Sequence, residues 1–213
     1  MVSYTLRYFP IAARAETTKA LLTLSGADWK LETPAWPQEQ SAQPVGKLPV
    51  LIESSDSGNE PFVLGESSAI EQYLAAKHRF YFKSDDLKAV AHQNELRSHL
   101  KDLYELRSQI KFAANEEARD VLKNKFKSSA TFITKLHERL LKENGSNGHY
   151  FGSAITYVDV ALFSTLVALR SPTYEMPPEL LELLSEENAP EINKVYKNVL
   201  ANPSLASYAA EQK

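Results

Sequence analysis

Cysteine is missing from all 213 positions. Disulfides, cysteine-ligated zinc, iron–sulfur clusters and redox catalysis by a protein thiol are therefore excluded. If the chain handles sulfur, the sulfur arrives on a small molecule. Long apolar runs are missing as well, so no membrane span is expected. No basic stripe or single-sign block occurs, and the net charge is only -3, which argues against a nucleic-acid partner. No basic segment followed by an apolar one opens the chain, so no secretory signal is expected. The simplest compartment is the cytosol. The histidines (His78, His92, His99, His137 and His149) have no partners at metal-ligand spacing; they are assigned to surface or packing roles, and no metal is expected.

Glycine and proline are absent over one long interval, between Gly65 and Gly145. Such a stretch favours long helices. Before Gly65 the chain is broken repeatedly, by Pro10, Gly26, Pro34, Pro37, Pro44, Gly46, Pro49, Gly58 and Pro61. Two architectures follow, with a seam between His78 and Ser84. The fold class is α+β, with domains expected at 1–80 and 86–213.

The first part predicts β-α-β followed by β-β-α. Tyr4 to Phe9 is rich in aromatic and β-branched residues and predicts a strand. Thr17, Ala20, Leu21 and Leu24 recur at helical spacing, and Gly26 stands where a helix C-terminus favours a left-handed residue. "DWKLETPAW" predicts a second strand entering a proline-rich loop. "LPVLIES" and "PFVLGES", separated by "SDSGNE", predict a hairpin. "SSAIEQYLAAKH" predicts a helix.

The second part predicts helices throughout. Asp85 to about Ala113 carries Leu96, Leu100, Leu103 and Leu106 at apolar positions. Glu116 to Asn144 carries Leu122, Phe126, Phe132, Ile133, Leu136 and Leu140. "AITYVDVALFSTLVALR" is nearly all apolar after Asp159, so this helix is expected at the centre of its domain. Thr156 and Asp159, three residues apart ahead of that run, form a capping-box pattern worth about 1 kcal/mol; its role is to organise the fold. In "GKLPV", Pro49 stands at a strand entrance where it cannot donate to the ladder. A trans proline at a strand start and a cis Leu48–Pro49 bond both explain it; the rarity of cis bonds favours trans. The cis form would turn the Leu48 N–H and C=O toward an extended, peptide-like ligand.

Four segments, "YTLRYFPIAARAE", "WPQEQSAQPVGKLPVL", "LGESSAIEQYLA" and "TYVDVALF", in this order and at these intervals, resemble the cytosolic glutathione transferases. The branch they resemble is the tyrosine type, of the sigma, pi and alpha kinds, and the resemblance covers essentially the whole chain. It implies a thioredoxin-like N-terminal domain (βαβ-ββα) and an all-helical C-terminal domain. It also implies glutathione as co-substrate, a homodimer, and a small hydrophobic electrophile as the second substrate. Aryl halides, unsaturated carbonyls, isothiocyanates and lipid peroxides are the classes implied.

By the same resemblance, Tyr8 donates a hydrogen bond to the glutathione sulfur. The free thiol has a pKa of about 8.5, and each unit of lowering favours the thiolate by about 1.4 kcal/mol. A strand tyrosine met without this context is more often a packing residue. Arg14 matches an arginine behind the sulfur; the plainer role for it is pairing with Glu16 or with solvent. Glu66 and Ser67 match the pair that binds the γ-glutamyl carboxylate at a helix N-terminus. Leu48, before Pro49, matches the main-chain partner of the cysteinyl portion, and Trp36 the indole that meets the glycyl carboxylate. Asp102 matches an aspartate that reaches the γ-glutamyl amine of the neighbouring subunit, and is otherwise a solvated helix charge. Phe9, Pro10, Tyr104 and Phe112 are candidates for the electrophile pocket.

The chain departs from the family pattern at three positions. Gln40 stands where a lysine is usual, and Lys47 where a glutamine is usual; both positions flank the ligand in the family, so Gln40 and Lys47 are expected among the glutathione-binding residues. Val45 stands where many relatives place an aromatic key into the partner subunit, so a dimer is expected to rest more on polar contacts. Two further functions share the fold: a sigma-type isomerase acting on a lipid endoperoxide, and a carrier of hydrophobic ligands with little turnover. The exchange at Gln40 and Lys47 assigns the missing positive charge to Lys47. Glutathione affinity is expected to fall in Lys47→Met; an unchanged affinity removes the assignment.

Overall fold

The computed structural model describes residues 2–55, 60–172 and 175–211. Contacts divide the chain into two units: residues up to Phe80 together with the segment from Asn202, and Tyr81–Ala201.

The first unit is built on a four-stranded sheet in the order β2-β1-β3-β4. The strands are β1 (Val2–Arg7), β2 (Asp28–Glu32), β3 (Val50–Ser55) and β4 (Phe62–Gly65). β1 runs parallel to β2 and antiparallel to β3, and β3 is antiparallel to β4. Tyr4 and Leu6 are buried while Ser3, Thr5 and Arg7 are half-buried, the period-two pattern of a strand with one covered face. β1 ends at Arg7, two residues before the expected limit, although the Tyr8 amide still bonds the Glu32 carbonyl at 3.0 Å. The expected hairpin turn at residues 56–59 lies outside the described residues.

Helix α1 (Glu16–Ser25) ends at Gly26, whose φ of 68° is left-handed as its position predicted. α2 (Ser67–Lys77) follows β4. Two prolyl bonds, Trp36–Pro37 and Leu48–Pro49, are cis. The second overturns the trans expectation, and the first carried no signal in the sequence. The trans preference before proline is only about 0.5–1 kcal/mol, so the surrounding fold decides it.

The second unit contains α3 (Leu87–Lys111), α4 (Glu116–Glu143), α5 (Tyr157–Arg170), α6 (Pro178–Leu181) and α7 (Pro190–Leu200). α3 and α4 are capped by Asp86 and Asn115, whose side chains accept first-turn amides. α5 is the core: it is buried from Tyr157 to Leu169 apart from Val167. Its capping box forms as expected. Asp159 Oδ2 accepts from the Thr156 amide at 2.7 Å and its hydroxyl at 2.6 Å, while Oδ1 accepts from the Tyr150 amide at 2.9 Å. One buried carboxylate therefore both starts the helix and ties the preceding loop to it. On α4, Phe132 departs from the expected apolar face and is 66% exposed.

The last helix, α8 (Pro203–Glu211), packs against α1 and so belongs to the first unit. The sequence boundary had assigned this segment to the helical domain. A short amphipathic helix carries no local mark of which surface it will cover.

His137 of α4 has no exposed surface, and its Nδ1 bonds the hydroxyl of buried Tyr150. Burial, with a smaller push from His99, brings the His137 pKa down to about 3. In the unfolded chain it would protonate near pH 6.5. Between these values the unfolded state binds the extra proton, so stability falls as pH drops through 6.5. Urea denaturation at pH 7 and pH 5 is expected to show a loss of about 2 kcal/mol from this group. His137→Gln should remove that part of the pH dependence; an identical pH dependence in the variant refutes it.

Candidate functional site

Sheet register brings the expected binding segments of the first unit to one edge. Arg7 pairs with Glu32 on one side and Val50 on the other, and Val50 pairs with Gly65. The residues just beyond these positions are Tyr8, Thr33, Pro49 and Glu66. The end of β1, the entrance to β3 and the start of α2 therefore share an edge, although nearly sixty residues separate Tyr8 from Glu66.

Tyr8 is 5% exposed. Its main chain is fixed on both sides: its amide donates to Glu32, and its carbonyl accepts the Thr33 hydroxyl at 3.1 Å. The Arg14 amide donates to Tyr8 Oη at 3.0 Å. A phenol is both donor and acceptor. An N–H directed at the oxygen polarises the O–H bond and makes the hydroxyl a stronger donor. Arg14 itself is exposed, and it is its main chain, rather than its guanidinium, that makes this bond to Tyr8. Nor does Arg14 take Glu16, which pairs with Lys19.

That pair was missed in the sequence. Lys19 is 4% exposed and Glu16 2% exposed. Lys19 Nζ lies 3.4 Å from Glu16 Oε2 and donates to the Ile11 carbonyl at 3.0 Å. It anchors the middle of the loop between Tyr8 and α1. The available signal was a lysine beside Ala20 and Leu21 on the apolar stripe of α1, three residues after an acidic one.

Phe9 links two further candidates. Its ring packs against Tyr8 at 5.6 Å and edge-on to half-buried Trp36 at 6.0 Å. Pro10 is exposed beside it. In the loop before β3, Gln40 Nε2 donates to the Gly46 carbonyl at 3.0 Å. Gly46 adopts φ 61°. Gln40 thus braces the turn from which exposed Lys47 projects, with Leu48 half-buried and Pro49 buried behind it. Val45, 47% exposed, packs over β4: a Cβ on Gly65 would lie 3.0 Å from Val45 Cγ2.

Glu66 precedes α2 with φ 68° and ψ 115°. For a residue with a Cβ, this conformation costs about 1–3 kcal/mol. Its side chain makes no capping bond to the helix, and Ser67 occupies the first helical position. The helix N-terminus is thus left suited to an anion by its own amides.

At the far end of α2, a polar cluster ties the helix to the sheet. Tyr4 Oη and His78 Nε2 lie 3.0 Å apart, and Lys77 bonds both Glu53 and Tyr73. Burial alone works against the Lys77 ammonium, but the bonds to Glu53 and Tyr73 outweigh it and raise its pKa. Burial, reinforced by the Glu53 charge, also raises the pKa of Tyr4.

Three candidates belong to the second unit. Asp102 is exposed on α3, and Tyr104 is half-buried with the Arg107 guanidinium 5.5 Å from its ring centre. Phe112, just past α3, is 73% exposed.

Comparison with known proteins agrees with this architecture. Residues 101–212 match the family described as "Glutathione S-transferase, C-terminal domain". The probable glutathione S-transferase 6 of Caenorhabditis elegans is 26% identical over 95% of this chain and 98% of its own length. S-crystallin SL11 of Nototodarus sloanii is 27% identical over 98% of this chain and 96% of its own. The solved sigma class GST of Fasciola hepatica superposes with a TM-score of 0.81, covering 100% of this chain and 97% of that one at 24% identity. The matched family covers more than half of the sequence, and with it the chain belongs to the glutathione S-transferase family.

Proposed function

We propose that this protein conjugates glutathione to hydrophobic electrophiles in the cytosol, with Tyr8 as the residue that favours the thiolate. The observation that carries the reading is the Arg14 N–H bond to an otherwise buried phenol oxygen. It strengthens the hydroxyl as a donor toward a visiting sulfur, and a hydrogen bond to the charged form lowers a pKa. Arg14 adds positive charge nearby. Tyr8 acts as a donor throughout, not as a base.

The edge around Tyr8 fits a tripeptide with a carboxylate at each end. The strained Glu66 and the α2 N-terminus at Ser67 suit the γ-glutamyl carboxylate. The Leu48 main chain, set before Pro49, suits the cysteinyl amide and carbonyl. Trp36 and Lys47 suit the glycyl carboxylate, with Gln40 acting as a brace rather than a ligand. Asp102 is assigned to the γ-glutamyl amine of a second copy, which requires a homodimer. Phe9 and Pro10 offer apolar surface beside Tyr8 for the electrophile. With an aryl halide, the sulfur forms the new C–S bond and the halide leaves with its electrons.

Ultraviolet absorbance of bound glutathione against pH tests the donor role. In Tyr8→Phe the thiol pKa is expected to rise by about one to two units, toward its free value near 8.5, with turnover at neutral pH falling about 10- to 100-fold. Unchanged sulfur acidity and turnover refute the mechanism. Binding to glutathione resin by the native protein without turnover of chlorodinitrobenzene points to a carrier.

The buried pair behind the loop gives a separate outcome. Lys19→Met removes a buried cation from Glu16 and is expected to cost about 3–5 kcal/mol in chemical denaturation. Combining it with Glu16→Gln should recover most of that loss; no recovery shows that the pair is not coupled.

A further inference from the structure

The loop between α4 and α5 carries two Asn–Gly dipeptides, Asn144–Gly145 and Asn147–Gly148. Each is a turn signal. Each also has a latent reaction. Glycine has no Cβ to shield its amide nitrogen from the side-chain carbonyl carbon of the asparagine before it. The structure treats the two pairs differently.

Asn144 is held away from that reaction. It caps α4 with φ -80° and ψ 13°, and the Gly145 N–H donates to the Lys142 carbonyl at 2.9 Å. Its own Nδ2 donates to the carbonyls of His149 and Gly152 at 2.9 and 3.0 Å.

Asn147 is exposed, and its side chain folds over the backbone that follows it. Its Oδ1 accepts the His149 amide at 3.0 Å, an Asx turn that keeps the side-chain carbonyl beside the Gly148 nitrogen. Asn144 Nδ2 approaches the same oxygen at 3.4 Å. Two N–H groups therefore face the atom on which negative charge develops when Cγ is attacked.

The attacking nitrogen is prepared as well. The Gly148 N–H donates to none of the described residues. Asn198 Nδ2, from α7, donates to the Asn147 carbonyl at 3.2 Å. That bond polarises the Asn147–Gly148 peptide and makes its N–H easier to deprotonate. Asn198 also holds the Gly148 carbonyl at 3.3 Å, and a Cβ on Gly148 would lie 2.2 Å from Asn198 Nδ2. Only glycine fits this close approach.

We propose that Asn147 is a self-modification site, converted to aspartate and isoaspartate through a cyclic imide. The Gly148 nitrogen gives its proton to water and bonds Asn147 Cγ. The Cγ–Nδ2 bond breaks, and Nδ2 leaves as ammonia. Water then opens the imide at either carbonyl, which yields a carboxylate and one of the two linkages. Nothing is oxidised or reduced. The product disturbs its own loop. Asn147 Nδ2 donates to the Gly152 carbonyl at 2.7 Å, and after conversion an oxygen faces that carbonyl with no hydrogen between them. The same loop is tied to the start of α5 by the Tyr150 amide on Asp159, so conversion loosens the central helix of its unit.

Peptide mapping of the full-length chain, aged in mildly alkaline buffer, tests the site. In the native chain Asn147 is expected to convert at least tenfold faster than Asn144. In urea the two should convert at similar rates. No product at Asn147, or the same ratio of rates in urea as in the native chain, overturns the proposal. Asn198→Ala removes the donor to the Asn147 carbonyl and should slow conversion at Asn147 at least threefold; an unchanged or faster rate refutes the activation. Asn147→Asp carries one product directly and should melt about 2–4 °C below the native chain; an equal melting temperature refutes the loosening. None of these outcomes bears on Tyr8.

Discussion

A single main-chain N–H, that of Arg14, faces the oxygen of Tyr8, and the chemistry proposed for this chain depends on that contact. The phenol lies just past the end of β1, where it could rotate into the core or be lost to solvent. Its main chain is held by Glu32 and Thr33, and its hydroxyl by the loop that leads into α1. The loop keeps its shape because Lys19 reaches back to the Ile11 carbonyl from within α1. A buried lysine and glutamate are a poor way to gain net stability, since their desolvation offsets most of their attraction. They are a good way to hold one carbonyl in one place, which is what a hydrogen bond to a reacting sulfur requires.

The second unit uses the same device for a different purpose. Asp159 is fully buried and accepts three bonds, which join the start of α5 to the preceding loop. The same loop carries Tyr150, whose hydroxyl bonds the enclosed His137. A neutral imidazole and a buried carboxylate thus meet the two ends of one residue. The apolar length of α5 supplies the driving force for this unit, while these polar contacts select which turn of the helix begins where.

Much of this was legible in the sequence, and the limits have physical causes. The empty glycine and proline map predicted α3 and α4. The aromatic and β-branched content of β1, the left-handed Gly26 and the Thr156–Asp159 spacing are local patterns, and local patterns survive without tertiary knowledge. The two cis bonds, the outward Phe132 and the docking of α8 on α1 depend on surfaces remote in sequence. The Lys19–Glu16 pair shows a further limit: periodicity treats a lysine on an apolar stripe as an irregularity, although here it marks the support of the candidate site. Tyr8, Trp36, Leu48, Glu66 and Ser67 could be named from motif order. Their gathering at one edge follows from register, which no single motif contains.

Glu66 gives the sharpest local sign that this edge is shaped for a ligand. A glycine or asparagine would occupy φ 68° at less cost. A serine, threonine or aspartate would cap the helix better. Glutamate does neither here: it accepts a strained backbone and makes no cap. Folding stability alone gives no reason for that choice, because each alternative improves it. What the conformation achieves is to turn the chain sharply between β4 and α2, so that the helix begins at the sheet edge with Ser67 as its first residue. An anion bound there would take the place of the missing cap, and its binding would offset part of the strain that the free chain carries.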